Sequence, residues 1–281
     1  MSKTNEHAID YATGARYQGG FVNGKREGHG ILTLNNGSHY QGDFRDDQKH
    51  GYGIYTWSTG AVYRGEFIND QIHGNGKLIS KDGDSYEGSW IKGKRHGVGK
   101  TVWKNGNTYE GHYENNQKHG LGTHRWPQKG STYTGNWQFN LPHGQGRYQY
   151  SNGDVYEGEF QEGKRHGQGK LLYTNGDRYE GAYADDLKHG IGKFSWTDGD
   201  SYDGEFFEGE QQGNGEYVWG SKVSPSSPIS PIEVQPTISE KKPKKKLSKK
   251  LRDERSVSPQ SASKMISNEK IVTTTDDSAL F

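Results

Sequence analysis

Large side chains and glycines alternate along this chain with a period of two, and the alternation itself recurs every 23 residues. It is clearest from Tyr156 to Asp177, which reads Y-E-G-E-F-Q-E-G-K-R-H-G-Q-G-K-L-L-Y-T-N-G-D. Each copy is numbered here from its tyrosine as position 0. These tyrosines are Tyr17, Tyr40, Tyr63, Tyr86, Tyr109, Tyr133, Tyr156, Tyr179 and Tyr202, with one step of 24 residues, from Tyr109 to Tyr133. Position 2 is always Gly, and position 4 is always aromatic: Phe21, Phe44, Phe67, Trp90, Tyr113, Trp137, Phe160, Tyr183 and Phe206. Positions 11 and 13 are Gly in every copy, from Gly28 and Gly30 to Gly213 and Gly215. Alternation of this kind predicts strands, and a period of this length marks a repeat array.

One copy reads as a hairpin. Positions 0, 2 and 4 share a face of the first strand, and 11, 13, 15 and 17 share a face of the second. A four-residue loop at positions 6 to 9 makes facing positions add to 15. Position 4 then faces the Gly at 11, and Gly 2 faces Gly 13, so the glycines make room for rings. Position 7 is only Gly, Asp or Asn, residues that tolerate left-handed turns. The same register sets Glu87 against Lys100, Glu157 against Lys170 and Glu180 against Lys193.

The connection to the next copy is Asn35-Asn36-Gly37, Ser58-Thr59-Gly60 or Ser151-Asn152-Gly153, a three-residue turn ending in a left-handed Gly. Across it, facing positions add to 38, so the register returns to its start after each period. The expected fold is all-β: an elongated single-layer antiparallel meander of about 18 strands, roughly 85 Å long. The extra residue of the fifth copy falls in the turn Trp126-Pro127-Gln128-Lys129-Gly130, where Pro does no harm. Residues 1–16 form a lead-in, 17–219 the array and 220–281 a tail.

The spelling Y-x-G-x-F-x-x-G-x-x-H-G-x-G resembles the MORN repeat family over residues 17–219. The resemblance implies hairpin arrays and a non-enzymatic scaffold, with stand-alone members serving cytoskeletal assemblies such as axonemal radial spokes. It also implies two alternatives, a membrane-apposition or phosphoinositide-binding module and an accessory to a separate lipid kinase or methyltransferase. No catalytic segment of such an enzyme is evident here.

Composition supports an array over a closed core. There are 42 Gly, and Trp, Tyr and Phe (7, 18 and 9) supply much of a 28% hydrophobic share. No apolar run reaches the ~18 residues of a membrane-spanning helix, the start lacks the apolar stretch of a signal peptide, and there is no Cys. A cytoplasmic protein is expected, associated with cytoskeleton or cilium, with peripheral membrane contact as the alternative. No cofactor, metal or small-molecule substrate is expected.

Position 10 is His in seven copies: His50, His73, His96, His119, His143, His166 and His189. Equivalent positions lie two strands apart, roughly 9.5 Å, too far to share a zinc ion bound at ~2.1 Å. The alternatives are a hydrogen bond to the loop backbone and a pH-sensitive ladder. The Gly-x-Gly and Gly-Lys pieces never complete a phosphate loop. Acidic pairs such as Asp46-Asp47 and Asp185-Asp186 read as solvated turns. Glu27 and Gln212 replace His in the first and last copies, as terminal repeats deviate in solenoids.

A single layer has nothing of its own to cover its rings. Either neighbouring rungs bury them in part, or they form an exposed stripe that docks a protein partner or a second copy. The candidates are Phe44, Phe67, Trp90, Trp137 and Phe160 at position 4, and Trp57, Trp103, Trp126, Trp196 and Trp219 at position 17.

The tail carries 12 Lys and Arg against 7 Asp and Glu, leaving 24 against 28 in the rest. Its composition, with six of eight prolines and the single aromatic Phe281, is that expected of disorder. Ser224, Ser227, Ser230 and Ser258 each precede Pro and are candidate phosphosites. Lys241, Lys242, Lys244, Lys245, Lys246, Lys249, Lys250 and Arg252 form the candidate anionic-partner segment. Solubilisation, an import-like or nucleic-acid patch, and contact with anionic lipid or acidic filaments all fit it. Nucleic-acid binding by the acidic repeat body is not expected.

Overall fold

The computed structural model describes residues 7–220, a single open antiparallel sheet of 19 strands. Each strand lies beside its neighbours in sequence. The nine hairpins run from β2 (Arg16–Val22) with β3 (Lys25–Thr33) and β4 (His39–Arg45) with β5 (Gln48–Thr56) to β18 (Ser201–Phe207) with β19 (Glu210–Val218). The expected meander is therefore the fold. The candidate phosphosites and the basic segment at 241–252 lie outside the described residues.

One strand was not anticipated. β1 (His7–Asp10) pairs antiparallel with β2, placing His7 opposite Gly19 and Ile9 opposite Tyr17. The turn after it is the ordinary inter-copy turn, since Tyr11 N–H donates to the Ala15 carbonyl and Gly14 adopts φ 82°. Ile9, Tyr11 and Gly14 thus stand where Leu32, Leu34 and Gly37 stand one period later, so half a repeat precedes the first tyrosine.

The inter-copy register is as expected. Gly30 faces Gly42, Leu32 faces Tyr40, and Gly28 faces Phe44. Within a hairpin the outer half also keeps its register, with Tyr17 opposite Leu32 and Gly19 opposite Gly30. The inner half does not. Phe21 faces Arg26 rather than Gly28, and Val22 faces Lys25. The loop therefore has two residues instead of four, and the difference is taken up by a bulge around position 11.

Turn geometry explains the shift. Both loop residues are left-handed, as at Asp46 and Asp47 (φ 51° and 70°) and at Asn115 and Asn116 (φ 49° and 72°). Their twist matches the flanking strands, which a longer loop would not. The Gly at position 11 also has positive φ, as in Gly51 (62°) and Gly167 (58°), so its conformation, not space for a ring, requires Gly there. The aromatic at position 4 faces the position-11 Gly of the preceding copy instead.

The edges of the ribbon are tied from copy to copy. Asp47 Oδ1 accepts the Arg26 backbone N–H at 2.8 Å, and Asp70, Asn116, Asn140 and Asp186 repeat this toward Lys49, Arg95, Lys118 and Arg165. Pro142 has no N–H to offer, and its partner position holds Gly163. Along the other edge Asp154 Oδ1 takes the Thr174 N–H and Asp177 Oδ1 the Thr197 N–H, at 2.8 and 2.9 Å.

Candidate partner-binding faces

The tyrosines at position 0 organise the ring-bearing face. Each folds back along its own strand and donates its hydroxyl to the carbonyl of position 3, at 2.9 Å for Tyr40 to Asp43 and 2.8 Å for Tyr133 to Asn136. The ring then lies across the facing pair Gly 2 and Gly 13. A methyl on Gly53 would lie 2.3 Å from Tyr40 Cε2, and one on Gly42 would lie 2.5 Å from Gly53 Cα. Burial drives the phenols up, to about 12 at Tyr17 and well above the ordinary range at Tyr63, Tyr86 and Tyr156.

Rings at position 4 fill the gaps between these tyrosines. Phe44 meets Tyr17 and Tyr40 edge-on, both at 5.1 Å, and Phe160 meets Tyr133 and Tyr156 likewise. In six of the nine copies position 9 places a cation over the result; Ile72, Pro142 and Gln211 take its place in the others. Arg165 lies 5.7 Å from the Tyr156 ring and 5.0 Å from that of Tyr183, and its Nε is 3.4 Å from Asp186 Oδ1. Arg26, Lys49, Arg95 and Lys188 sit over equivalent rings. Position 9 was read as loop, so this layer was not anticipated.

The exposed ring stripe is therefore corrected. Phe44, Phe67, Trp90, Trp137, Phe160, Trp103 and Trp126 are buried: the five at position 4 each lie edge-on between the tyrosines of two copies, and Trp103 and Trp126 stack on the two sides of His124. Trp57 and Trp196 are half-buried, and Trp219 is 69% exposed. Trp219 has no following copy to cover it.

The fifth copy holds the one cation site of another kind among the described residues. Lys118 is buried beneath the rings of Trp103, Tyr109 and Trp137, at 4.8 to 5.3 Å, and its Nζ lies 2.9 Å from His124 Nδ1. His124 stacks on Trp126 at 4.1 Å. Burial and the adjacent ammonium push the imidazole down to about 2, so it is neutral and its Nδ1 accepts a hydrogen bond from the Lys118 ammonium.

The opposite face is charged and patterned. Glu87, Glu157 and Glu180 face Lys100, Lys170 and Lys193 as the register requires. Their carboxylates nevertheless pair with the cation of the preceding copy, at 3.0 Å for Lys77–Glu87, Arg147–Glu157 and Lys170–Glu180. Between these pairs stands position 12, which sequence reasoning passed over. It carries Tyr52, Val98, Leu121 and Ile191, exposed by 59, 57, 63 and 63%. The signal was legible: a large apolar residue between two glycines, on the face turned from the rings, has no packing role. Leu121 borders a shallow trough whose far walls are Gln145, Arg147 and Glu157.

The position-10 histidines do not converge, and no three His, Asp or Glu among the described residues form a set able to hold a metal ion. His119 lies 3.6 Å from Glu114, and the Tyr40 and Tyr63 hydroxyls reach the His50 and His73 carbonyls at 3.5 and 3.4 Å.

The family model for the MORN repeat matches nine consecutive segments, from 17–39 through 109–131 and 133–155 to 202–222. The chain belongs to the MORN-repeat family. Its segment boundaries fall on the position-0 tyrosines from Tyr17 to Tyr202. No curated protein sequence matches the chain. Among solved structures it is similar to the wild-type TCP10 domain of Danio rerio CPAP, at 10% identity over 71% of this chain and 94% of that one, with TM-score 0.39. It is also similar to the SAS-4 (dCPAP) TCP domain of Drosophila melanogaster in complex with a proline-rich motif of Ana2 (dSTIL), at 11% identity over 56% and 85%, TM-score 0.35. A third is virginiamycin B lyase from Staphylococcus aureus, at 11% identity over 72% and 78%, TM-score 0.16. Likeness at these scores carries no information on activity or partners.

Proposed function

We propose that this MORN-repeat chain is a non-enzymatic scaffold that binds protein partners along its charged face, in a cytoskeletal or ciliary assembly. The observation that carries the reading is the recurrence of exposed apolar side chains at position 12, at Tyr52, Val98, Leu121 and Ile191, each facing a polar residue of the next copy, Glu66, His112, Asn136 and Glu205. Apolar anchors ringed by polar groups are what protein interfaces use, and the repeat delivers them at intervals of roughly 9.5 Å or its multiples. The buried rings are the frame, not the contact. The basic tail supplies a second, electrostatic attachment to an acidic filament.

Affinity capture from ciliated cells tests this, using the full chain and a variant with Tyr52, Val98, Leu121 and Ile191 changed to Ser. Recovery of axonemal or basal-body proteins by the parent and their loss from the variant are expected. Equal recovery by both chains sinks the charged-face reading. Flotation with anionic liposomes that depends on residues 237–255, without cytoskeletal recovery, favours membrane apposition instead.

A further inference from the structure

The two ends of the sheet are complementary and unequally guarded. At the far end of the described residues β19 is a nine-residue edge strand with no Pro or Lys, its charges being Glu210 and Glu216, and Tyr217, Val218 and, just after it, Trp219 are exposed. Trp196, Tyr217 and Trp219 stack in series at 6.4 and 5.7 Å. A strand left at the edge of a sheet presents unpaired N–H and C=O groups on which another strand can pair. At the near end the described residues of β1 pair with Arg16 to Gly19 of β2, and Phe21, met by one tyrosine among the described residues, stays half-buried.

The geometry points to a second copy of this chain as the occupant of β19, joined head to tail through its β2 after β1 is displaced. Continuity of the internal junctions carries the argument. Extending the register of the last copy sets Gly213 against Phe21, Gly215 against Gly19 and Tyr217 against Tyr17 of the next molecule. Each pair already exists inside the chain, as Gly190 against Phe206, Gly192 against Gly204, and Tyr148 against Tyr156. On the charged face Glu216 would meet the neutral Gln18, so no like charges oppose. Trp219 would gain the following copy that it lacks.

β1 is the guard. It is four residues long, and the Arg16–Asp10 pair at 3.8 Å ties it down. Its described residues give β2 four partners, and it is tethered by a short turn, which is worth an effective concentration of order millimolar. Free chains therefore remain single at low concentration. Displacement of β1 opens a heterologous contact that does not close on itself, which yields linear arrays.

The test uses the full chain in sedimentation velocity. The Tyr11–Ala15 bond sets an alternation that directs the Ile9 N–H at Tyr17, so Ile9→Pro removes that donor and weakens β1. Expected are a parent that is monomeric at micromolar concentration, and an Ile9→Pro chain that passes to dimers and longer species as concentration rises. Adding Tyr217→Pro, whose N–H faces outward at an edge that tolerates Pro, should return the variant to monomer with its circular dichroism unchanged. The protein has no Cys, so Gln18→Cys with Glu216→Cys in the Ile9→Pro chain should give a ladder of intermolecular disulfides on oxidation. A monomeric Ile9→Pro chain, a parent as associated as that variant, association indifferent to Tyr217→Pro, or the absence of the ladder overturns the proposal.

Discussion

Tyr156 Oη donates a 2.9 Å hydrogen bond to the carbonyl oxygen of Glu159, and the bond holds the phenol ring across Gly158 and Gly169. A methyl on Gly158 would lie 2.5 Å from Gly169 Cα and 2.6 Å from that hydroxyl. Neither backbone nor locked ring can give way. Gly158→Ala is expected to cost about 3 kcal/mol, read as a shift of the urea midpoint at constant slope. A change below ~0.5 kcal/mol would show that the ring is not held there.

Burial raises the position-0 phenols, to about 12 at Tyr17 and further at most of the others. Their unfolded value is near 10, so the stabilisation is complete below pH 10 and is lost as pH climbs through 12. Tyrosinate absorbance from the position-0 set should therefore appear only as pH climbs toward 12 and beyond, together with the loss of circular dichroism. A single stage near pH 10 with the fold intact would contradict this.

His124 works at the other end of the scale. Its folded value of about 2 lies below the ordinary 6.5, so its contribution is present above pH 6.5 and declines as pH falls toward 2, by about 1.4 kcal/mol per pH unit. His124→Tyr copies the second repeat, where Lys49 lies 4.8 Å over Tyr55. The variant should fold, and its melting temperature should lose that part of the dependence between pH 6.5 and 4. An unchanged profile assigns the acid sensitivity elsewhere.

Asp186 and Arg165 are buried together, and Asp186 Oδ1 takes the Arg165 backbone N–H at 2.9 Å. Asn116 does the same for Arg95 at 2.8 Å without a charge. Asp186→Asn should then cost less than about 1 kcal/mol, and Asp186→Ala about 2 kcal/mol, because only alanine leaves that N–H bare. Equal losses for both would show that charge, not the acceptor, matters.

Glu162 sits in the first loop position at φ 51°, a conformation that costs a side chain with a Cβ about 1 kcal/mol. Glu162→Asn makes the turn Asn-Gly with Gly163 and should raise stability by about 0.5–1 kcal/mol in thermal unfolding. A fall would mean that the Glu162 side chain contributes to the turn.

The meander, the inter-copy turns and the facing glycines were legible because period and alternation are properties of backbone and glycine alone. The inner half of the hairpin was not. Gly28 and Gly30 look identical in sequence, yet one is required by its φ of 74° and the other by the ring of Tyr17. Arg26 and Lys118 were assigned to a loop because the bulge that brings position 9 onto the ring face leaves no mark in composition. Once they close that face, the tryptophans beneath cannot be the docking stripe, and Tyr52 and Leu121 on the other side come forward.

The central claim is that each copy is one self-consistent rung, tyrosine over paired glycines, whose register closes after 23 residues. Excision of residues 156–178 followed by small-angle scattering tests it most directly. The shortened chain should fold, keep its cross-sectional radius, and lose roughly 10 Å of length, the width of two strands. A chain that fails to fold, or one whose cross-section changes while its length does not, would contradict it.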